Sequence, residues 1–276
     1  MMIRILYMIV SLAIYIGSIS PIAAKETILL QSTTSTRNSG LYDTLLPEFH
    51  STTEVRVNVV AVGTGQAIRN AMNCEADLLI VHSRKAEEKF VADGFGLRRH
   101  DLMYNDFVII GPKEDPAKIK FATTLEDVFS RISEGRHRFV SRGDDSGTHK
   151  READLWSSSG INPKPFSGSW YIEVGAGMGS ALNIASEING YILADRATWI
   201  AFKNKRDLSI LFQNNKKLFN QYGVIMVNPE RCPNSNSDGA KLFLDWLLSK
   251  NGQRAIGNYK KSGIQLFYPN SKNPKD

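Results

Sequence analysis

Short apolar runs alternate with amphipathic helical patterns along this chain, and this alternation limits the folds that it can adopt. Apolar runs with the length of strands occupy residues 27–31, 55–61, 76–81, 107–111, 138–141, 191–194 and 224–227. Helical patterns occupy residues 40–50, 66–73, 148–157, 179–189 and 241–249. Strands and helices that take turns along a chain pack as helices against a sheet. The sequence therefore predicts a layered α/β fold with two strand-rich blocks, the last strand returning to the first block.

The N-terminus has the composition of a secretory signal peptide. One early cation, Arg4, precedes an apolar stretch at residues 5–16, and small residues follow it up to Ala24. The apolar stretch is too short to span a membrane, and the polar Ser11 within it argues against an uncleaved anchor helix. No cysteine that could carry a lipid follows the stretch directly. We expect residues 1–24 to be removed as a signal peptide, and the remaining chain to be a soluble periplasmic protein.

Basic residues outnumber acidic ones, which raises the question of a nucleic-acid partner. The formal net charge is +6. Lys and Arg are nevertheless scattered, and the one tight cluster, at residues 136–138, is short. A mild positive field also raises the local concentration of small anions. We therefore expect no nucleic-acid partner.

The chain has two cysteines, Cys74 and Cys232. In an oxidising compartment they could form a disulfide bond, but their spacing does not distinguish this from two separate buried thiols. Neither cysteine belongs to a metal-binding spacing, so we expect no metal site.

Three polar segments that contain glycine each follow a predicted strand and each open a predicted helix. They occupy residues 32–40, 63–66 and 141–148. A helix N-terminus presents unpaired N–H groups and a partial positive charge, and hydroxyls add further donors. One such segment alone is usually an ordinary helix cap. Three of them at the carboxyl ends of strands, where open α/β sheets bind ligands, predict an anion site.

None of the three segments matches a nucleotide-binding motif. The sequence GTGQ at residues 63–66 lacks the lysine of a P-loop and the third glycine of a dinucleotide fold. The remaining possibility is a small anion held by neutral donors and one fixed cation. Arg142 is the candidate cation, because it follows an apolar strand and its planar fork can donate two parallel hydrogen bonds to an oxyanion.

At these residues the chain resembles a known family. The motifs are STTST at 32–36 with SGL at 39–41, VGTGQA at 62–67, ADLLIVH at 76–82, SRGDDSGTH at 141–149, GMG at 177–179 and GYILADR at 190–196. In this order they are similar to the periplasmic tungstate-binding component of ABC importers. The departures lie outside the proposed anion segments: Cys74 stands where glycine is common, and Ala197 and Trp199 vary a region that is usually small or aromatic.

The resemblance implies a type II periplasmic-binding fold, with two lobes, each a mixed sheet flanked by helices, joined by two crossing strands. We expect residues 25–108 and 222–276 in lobe one and residues 109–221 in lobe two. The implied ligand is tungstate, with molybdate as the alternative, and no cofactor is implied. The implied partner of this monomeric protein is the membrane permease of an ABC importer. By this similarity the anion is bound by Thr33, Ser35, Thr64, Gly65, Arg142, Ser146 and Thr148.

Two alternatives remain open at this stage. The pattern from Arg142 through Asp144 to Thr148 is also similar to the anion loop of phosphate-binding proteins. Phosphate keeps a proton at neutral pH and benefits from an acceptor such as Asp144, whereas tungstate and molybdate need only donors. The sequence DDSG at residues 144–147 also resembles the surroundings of a protease serine, for which a histidine would supply the base. We expect His149 instead to lie in the first turn of a helix, and His82 to be structural or near the rim of the cleft. An enzyme is not expected, because this segment opens a helix in an α/β pattern.

Overall fold

The computed structural model describes residues 27–271. The predicted signal peptide at residues 1–24 lies outside the described residues. Between Thr27 and Ser271 no helix combines the length and the apolar character needed to cross a membrane.

The described part of the chain alternates strands and helices as the sequence predicts. In chain order the strands are β1 (Thr27–Thr33), β2 (Arg56–Val62), β3 (Leu78–Val81), β4 (Gly96–Pro112), β5 (Phe139–Ser141), β6 (Tyr171–Glu173), β7 (Tyr191–Asp195), β8 (Leu208–Phe212), β9 (Phe219–Val227), β10 (Lys260–Lys261), β11 (Ile264–Gln265) and β12 (Tyr268–Pro269). The helices are α1 (Thr34–Ser39), α2 (Leu41–His50), α3 (Thr64–Met72), α4 (Arg84–Ala92), α5 (Leu125–Glu134), α6 (Gly147–Ser158), α7 (Met178–Ile188), α8 (Arg196–Ala201), α9 (Ser237–Leu248) and α10 (Lys250–Asn258). Short 3₁₀ helices lie at Ile119–Phe121, Lys164–Phe166 and Lys216–Leu218.

The main strands form two sheets that share β4. In the first sheet the order is β2-β1-β3-β9-β4, and β12 also pairs with β4. In the second sheet β4 pairs with β7 and β8, and the order continues from β7 to β5 and β6. β1 to β3 are parallel, as are β5 to β7, whereas β9 and β4 run antiparallel to their neighbours. Both sheets are mixed and flanked by helices, so the predicted α/β fold is confirmed.

The first sheet is covered by helices on both faces, and β3 shows this most clearly. Leu78 and Ile80 point into a core formed with α2, α9 and α10. Leu79 and Val81 point to the opposite face and pack against α3 and α4. Successive side chains of a strand alternate between the faces of a sheet, so a strand without polar residues is buried on both sides.

The second sheet is built in the same way around the end of β4. Phe107 and Ile109 belong to a core formed with α5 and α6. Val108 and Ile110 belong to the core on the other face, formed with α7 and α8. Each lobe therefore has its own two-sided core.

The strands β4 and β9 connect the two sheets. From Gly96 to Asp106, β4 pairs with β9, and from Phe107 onwards it pairs with β7 and β8. β9 pairs in turn with β3, so the predicted strand at residues 224–227 lies in the first sheet beside Leu78–Val81. We propose that the chain passes from one lobe to the other within these two strands, near the expected boundaries after residues 108 and 221.

The first polar segment contains an additional helix that the sequence analysis did not predict. Residues 32–40 were expected to form a loop, but most of them form α1. Thr33 caps this helix, because its hydroxyl accepts a hydrogen bond from the N–H of Thr36 at 3.3 Å. Gly40 ends it with a φ of 86°, which is accessible to glycine at no steric cost, and α2 begins at the next residue.

The first half of β4 was also missed, because its sequence is charged. Arg99 lies in this strand with its side chain 9% exposed and donates to the buried Glu87 of α4 at 2.6 Å. The pairing of these two charges, separated by twelve residues, makes their burial possible. A hydrophobic pattern cannot reveal a strand whose inward-facing side chain is a paired arginine.

Cys74 and Cys232 form a disulfide bond. The sequence had left open whether they form this bond or remain two separate buried thiols. Their Cα atoms are 5.3 Å apart and they are separated by 158 residues in sequence. The bond joins the end of α3 to the loop between β9 and α9, and both parts belong to the first lobe. It therefore closes a long loop that contains the whole second lobe.

We predict that removing this disulfide lowers the free energy of unfolding. A cross-link over a long loop restricts the unfolded chain, and its loss typically costs about 2–5 kcal/mol. Guanidinium denaturation of Cys74→Ala/Cys232→Ala should show a lower midpoint than the parent protein. Reduction of the parent should lower its midpoint to that of the variant, and equal midpoints for oxidised parent and variant would contradict the prediction.

Candidate anion-binding site

The second and third polar segments meet where the two lobes face each other. The N–H of Gly147, at the start of α6, donates to Thr64 Oγ1 at 3.0 Å. The N–H of Gly65, at the start of α3, donates to the carbonyl oxygen of Asp145 at 3.4 Å. A Cβ atom on Gly65 would lie 2.0 Å from the carboxylate of Asp145, so a larger residue at this position would have to displace that side chain. The N-termini of two helices from different lobes are therefore in direct contact.

The first polar segment contributes a buried cluster of hydroxyl groups. Thr33 Oγ1 lies 3.0 Å from Ser35 Oγ and 2.7 Å from Thr36 Oγ1. The carbonyl oxygen of Ser35 accepts a hydrogen bond at 3.4 Å from the hydroxyl of Thr198, which lies on α8 in the second lobe. The first segment thus also lies at the interface of the lobes.

His82 connects the first segment with the other two. Its Nε2 lies 3.3 Å from Ser35 Oγ, and its ring is close enough to Gly147 that a Cβ atom there would clash with it. Its Nδ1 lies 2.9 Å from Asn220 Oδ1, and its ring stacks on Tyr222 with the centroids 4.8 Å apart. Burial lowers the pKa of His82 to about 4, so the ring is neutral at pH 7.

A structural position or a position near the rim of the cleft was expected for His82. The structure puts it among the three segments, where it is 7% exposed and is held by Asn220 and Tyr222. Its position at the end of a buried strand that precedes a helix was the available signal. That signal is weak, because Asn220, which holds the ring, lies 138 residues away.

Arg142 is the buried cation of the site, with 1% of its surface exposed. Its Nε donates to the carbonyl oxygen of Ala176 at 2.8 Å, and its Nη2 is paired with the carboxylate of Asp144. The other oxygen of Asp144 accepts from the N–H of Ser146 at 3.2 Å. The guanidinium therefore has a carboxylate partner in its own loop, and an anion at this position has to compete with Asp144.

Two hydroxyl groups of the third segment differ in their hydrogen bonding. Ser146 caps α6 by accepting from the N–H of His149 at 3.2 Å, which leaves its hydroxyl proton free to donate. Thr148 is 1% exposed, and its hydroxyl has no hydrogen-bond partner among residues 27–271. A buried hydroxyl without a partner is destabilising and is rare in native proteins. Thr148 therefore has an unused buried donor in the first turn of α6, next to Gly147, whose N–H contacts Thr64.

A buried carboxyl group lies behind the third segment. Glu152 is one helical turn after Thr148 and so lies on the same face of α6. It accepts a hydrogen bond from the hydroxyl of Tyr171 at 2.8 Å. Burial raises the pKa of Glu152 to about 7, and hydrogen bonds from Tyr171, Ser141 and the backbone of Arg142 partly oppose this. The group thus changes its charge near neutral pH.

The geometry does not support nucleophilic catalysis. Nδ1 of His149 accepts from the N–H of Asp145 at 3.0 Å, so this histidine is a residue of the first helical turn, as expected. Ser35, His82 and Asn220 form a chain of hydrogen bonds, but the low pKa of His82 makes it a poor base at pH 7, and an uncharged amide cannot stabilise an imidazolium charge. In the described part of the chain, no three His, Cys, Asp or Glu side chains are grouped so that they could hold a metal ion.

All seven residues of the predicted site are buried, and they lie in the three segments that meet between the lobes. The groups that face one another there are mainly hydroxyls and backbone N–H groups, with one guanidinium. Such an arrangement can donate several hydrogen bonds at once to a small acceptor with no protons of its own.

Comparisons with known proteins agree with the fold. A model of the PBP superfamily domain matches residues 20–251. The tungstate-binding protein TupA of Peptoclostridium acidaminophilum is 48% identical over 259 residues, which cover 92% of this chain and 90% of that protein.

Two solved structures are similar over most of the chain. The tungstate ABC transporter protein from Geobacter sulfurreducens has a TM-score of 0.78 and 47% identity, covering 86% of this chain and 100% of that chain. The tungstate-binding protein TupA from Desulfovibrio alaskensis G20 has a TM-score of 0.76 and 43% identity, covering 90% and 100%. Since both the sequence and the two-lobed fold are shared over nearly the full length of these proteins, the chain belongs to the PBP superfamily and, within it, to the TupA family of tungstate-binding proteins.

Proposed function

We propose that this protein binds tungstate between its lobes and delivers it to the membrane permease of an ABC importer. The observation that carries this proposal is the unpartnered hydroxyl of Thr148, buried where helix N-termini of both lobes meet. Relatives that are tungstate-binding proteins of ABC transporters support the ligand and the partner. The role is binding and not catalysis, in keeping with a fold shared with binding proteins.

The proposed ligands of the anion come from all three segments. They are Thr33, Ser35, Thr64, Gly65, Arg142, Ser146 and Thr148, with His82 added from the structure. Hydroxyl and N–H donors suit an oxyanion that is fully deprotonated at neutral pH. A single buried guanidinium adds a charge-assisted contact, which is stronger than a contact from a neutral donor.

The position of Asp144 favours tungstate over phosphate. A phosphate that carries a proton needs an acceptor in the site, and Asp144 is the nearest candidate in the third segment. Each of its two carboxylate oxygens already accepts one hydrogen bond, from Arg142 or from the N–H of Ser146, so the proton of a phosphate would have to share these acceptors. Molybdate has the same charge and shape as tungstate, so we propose it as a weaker or equal competitor.

The compartment follows from the same proposal. A protein that supplies an importer from outside the membrane has to be exported, and the signal peptide predicted at residues 1–24 would direct it to the periplasm. We propose that it acts there as a monomer without a cofactor.

Competitive titration calorimetry is the direct test of this function. Purified protein should bind one tungstate, with molybdate displacing it and with sulfate and phosphate competing poorly. Binding of phosphate in preference to tungstate, or no heat with any of the four anions, would refute the proposal.

Replacing Arg142 with alanine should weaken tungstate binding about tenfold to more than a hundredfold. A charge-assisted hydrogen bond contributes roughly 1.5–3 kcal/mol, and each 1.4 kcal/mol is a factor of about ten in the dissociation constant. Titration calorimetry measures the change, and Arg138→Ala, an exposed arginine four residues earlier, is the matched control.

Loss of Arg142 also leaves Asp144 without its partner, which could unfold the loop. The double variant Arg142→Ala/Asp144→Asn removes that unpaired charge, and circular dichroism checks that both variants are folded. Parent-like affinity in a folded Arg142→Ala protein would show that the site lies elsewhere.

Thr148→Val should separate binding from stability. The hydroxyl has no hydrogen-bond partner among the described residues, so its removal should leave the melting temperature of the protein without tungstate unchanged or higher. The rise in melting temperature on adding tungstate should become smaller, because a donor to the anion is lost. Thr148→Ser should restore the rise, and a full ligand-induced rise in the valine variant would rule out this contact.

Tungstate affinity should fall as the pH rises through about 7. Glu152 is neutral below its raised pKa and becomes a buried anion above it, close to the segment that holds the ligand. A unit charge about 8 Å from a dianion in a water-like dielectric weakens binding about fivefold. Calorimetry from pH 6 to pH 8.5 should show this decrease, and Glu152→Gln, which stays neutral, should flatten it. A decrease of the same size in the variant would show that Glu152 is not the group responsible.

A further inference from the structure

A cavity adjoins the candidate site, and the function proposed above does not use it. This outer cavity has a volume of about 370 Å³ and lies between the lobes, with His82 and Gly147 in its wall. Both of these residues also contact the anion segments, since His82 reaches Ser35 and Gly147 reaches Thr64. The outer cavity is therefore separated from the site only by residues of the site itself.

Cationic side chains from both lobes line the outer cavity. Arg84 and Lys85 come from the start of α4 in the first lobe, and Lys150 and Arg151 come from α6 in the second lobe. Asp154 is the one carboxylate in the described lining, so the positive charges outnumber the negative ones.

These cations are only loosely neutralised. Arg84 pairs with Glu88 at 2.7 Å, but both side chains are more than half exposed and water screens the pair. Lys85 forms no ion pair within residues 27–271. Lys150 lies 3.1 Å from the exposed Asp145.

Arg151 adds a more specific indication of an anion. Its Nη2 is held by the carbonyl oxygen of Lys217, but its Nε is buried and has no hydrogen-bond partner in the described part of the chain. Burial lowers the pKa of this guanidinium, so its positive charge is poorly solvated. The Nε–H is shielded from the outer cavity, so an anion that enters the cavity interacts with the charge of the guanidinium rather than with this N–H.

We propose that the outer cavity is where an arriving oxyanion is first held before it passes His82 and Gly147 into the site. This inference rests on the proposed function, because it assigns a route to the same ligand. The contacts between Thr64 and Gly147 and between Gly65 and Asp145 close the site in this structure, so the anion can enter only when the lobes separate. A cavity with cations from both lobes keeps the anion beside the opening during that movement.

Such a role affects the rate of association more than the final affinity. A cation about 10 Å from a dianion in water raises the local concentration of the dianion about fourfold at low salt. Two cations together give about fifteenfold, and the gain disappears at high ionic strength, where the Debye length is only about 3 Å at 1 M. Dissociation from the closed site does not depend on these cations.

The test compares two double variants that lose the same charge. Arg84→Gln/Lys85→Gln changes the outer cavity. Lys241→Gln/Lys260→Gln is the control, because Lys241 belongs to an equally exposed pair with Asp245 on α9, which packs on the opposite face of the first sheet. Stopped-flow tryptophan fluorescence gives the association and dissociation rate constants for tungstate at about 20 mM and about 500 mM salt.

We expect the outer-cavity variant to associate about tenfold more slowly at low salt, with an unchanged dissociation rate and no difference from the parent at high salt. The control should change by less than twofold, and Arg84→Lys/Lys85→Arg, which keeps both charges, should retain the parental rate. Three results would each overturn the proposal: an equal decrease of the association rate constant in the two glutamine variants, a change in the dissociation rate constant alone, or a decrease of the association rate constant that persists at high salt. If the parent protein does not bind tungstate, the proposed function fails instead.

Discussion

The pairing of β4 with β9 is the constraint on which the rest of the structure depends. These two strands lie side by side at the junction of the sheets. β9 also pairs with β3 in the first sheet, and β4 also pairs with β7 and β8 in the second. Asn105 and Asn220 are partners in this pairing, and their amides form a 2.6 Å hydrogen bond. Asn220 also holds His82, which in turn touches Ser35. A change in how the two strands bend would therefore move Asn220 and His82 and alter the contact with Ser35. These contacts form a physical connection between lobe movement and the site.

Neutral donors dominate the interface because they can be buried together. Clusters such as Thr33, Ser35 and Thr36 satisfy one another's hydroxyls and need no counter-charge. A buried cation is costly unless it is paired, and Arg142 is paired with Asp144. In the proposed site, the guanidinium has to be shared between the carboxylate and the bound dianion. We propose that this competition lowers the affinity for every anion, and most strongly for those that offer Arg142 a weaker or less well-shaped set of acceptors than tungstate does.

Much of this arrangement could be predicted from the sequence. The features that could not be predicted were missed for one shared reason. The strands at 76–81 and 224–227 and the three polar segments were recognisable because each carries its own local pattern of apolar or hydroxyl residues. The role of His82 depends on Asn220, the disulfide joins residues 158 positions apart, and the first half of β4 is stabilised by Arg99 against Glu87. These features are set by distant partners, and a single sequence does not show which distant residues meet.

The chain has an excess of basic residues, but Arg142 is the one cation among the proposed ligands of the anion. The difference between buried and exposed positions explains this distribution. Placing further cations beside Arg142 would require burying them, and without partners each would either lose its proton or weaken the fold. At the surface, cations such as Lys85 are solvated and cost little, and they still act on a dianion over a distance of about a Debye length. Exposed charge can therefore speed the capture of an anion, while buried hydroxyl and N–H groups decide which anion is held. The protein can use both only because the outer cavity and the inner site share a wall made of His82 and Gly147.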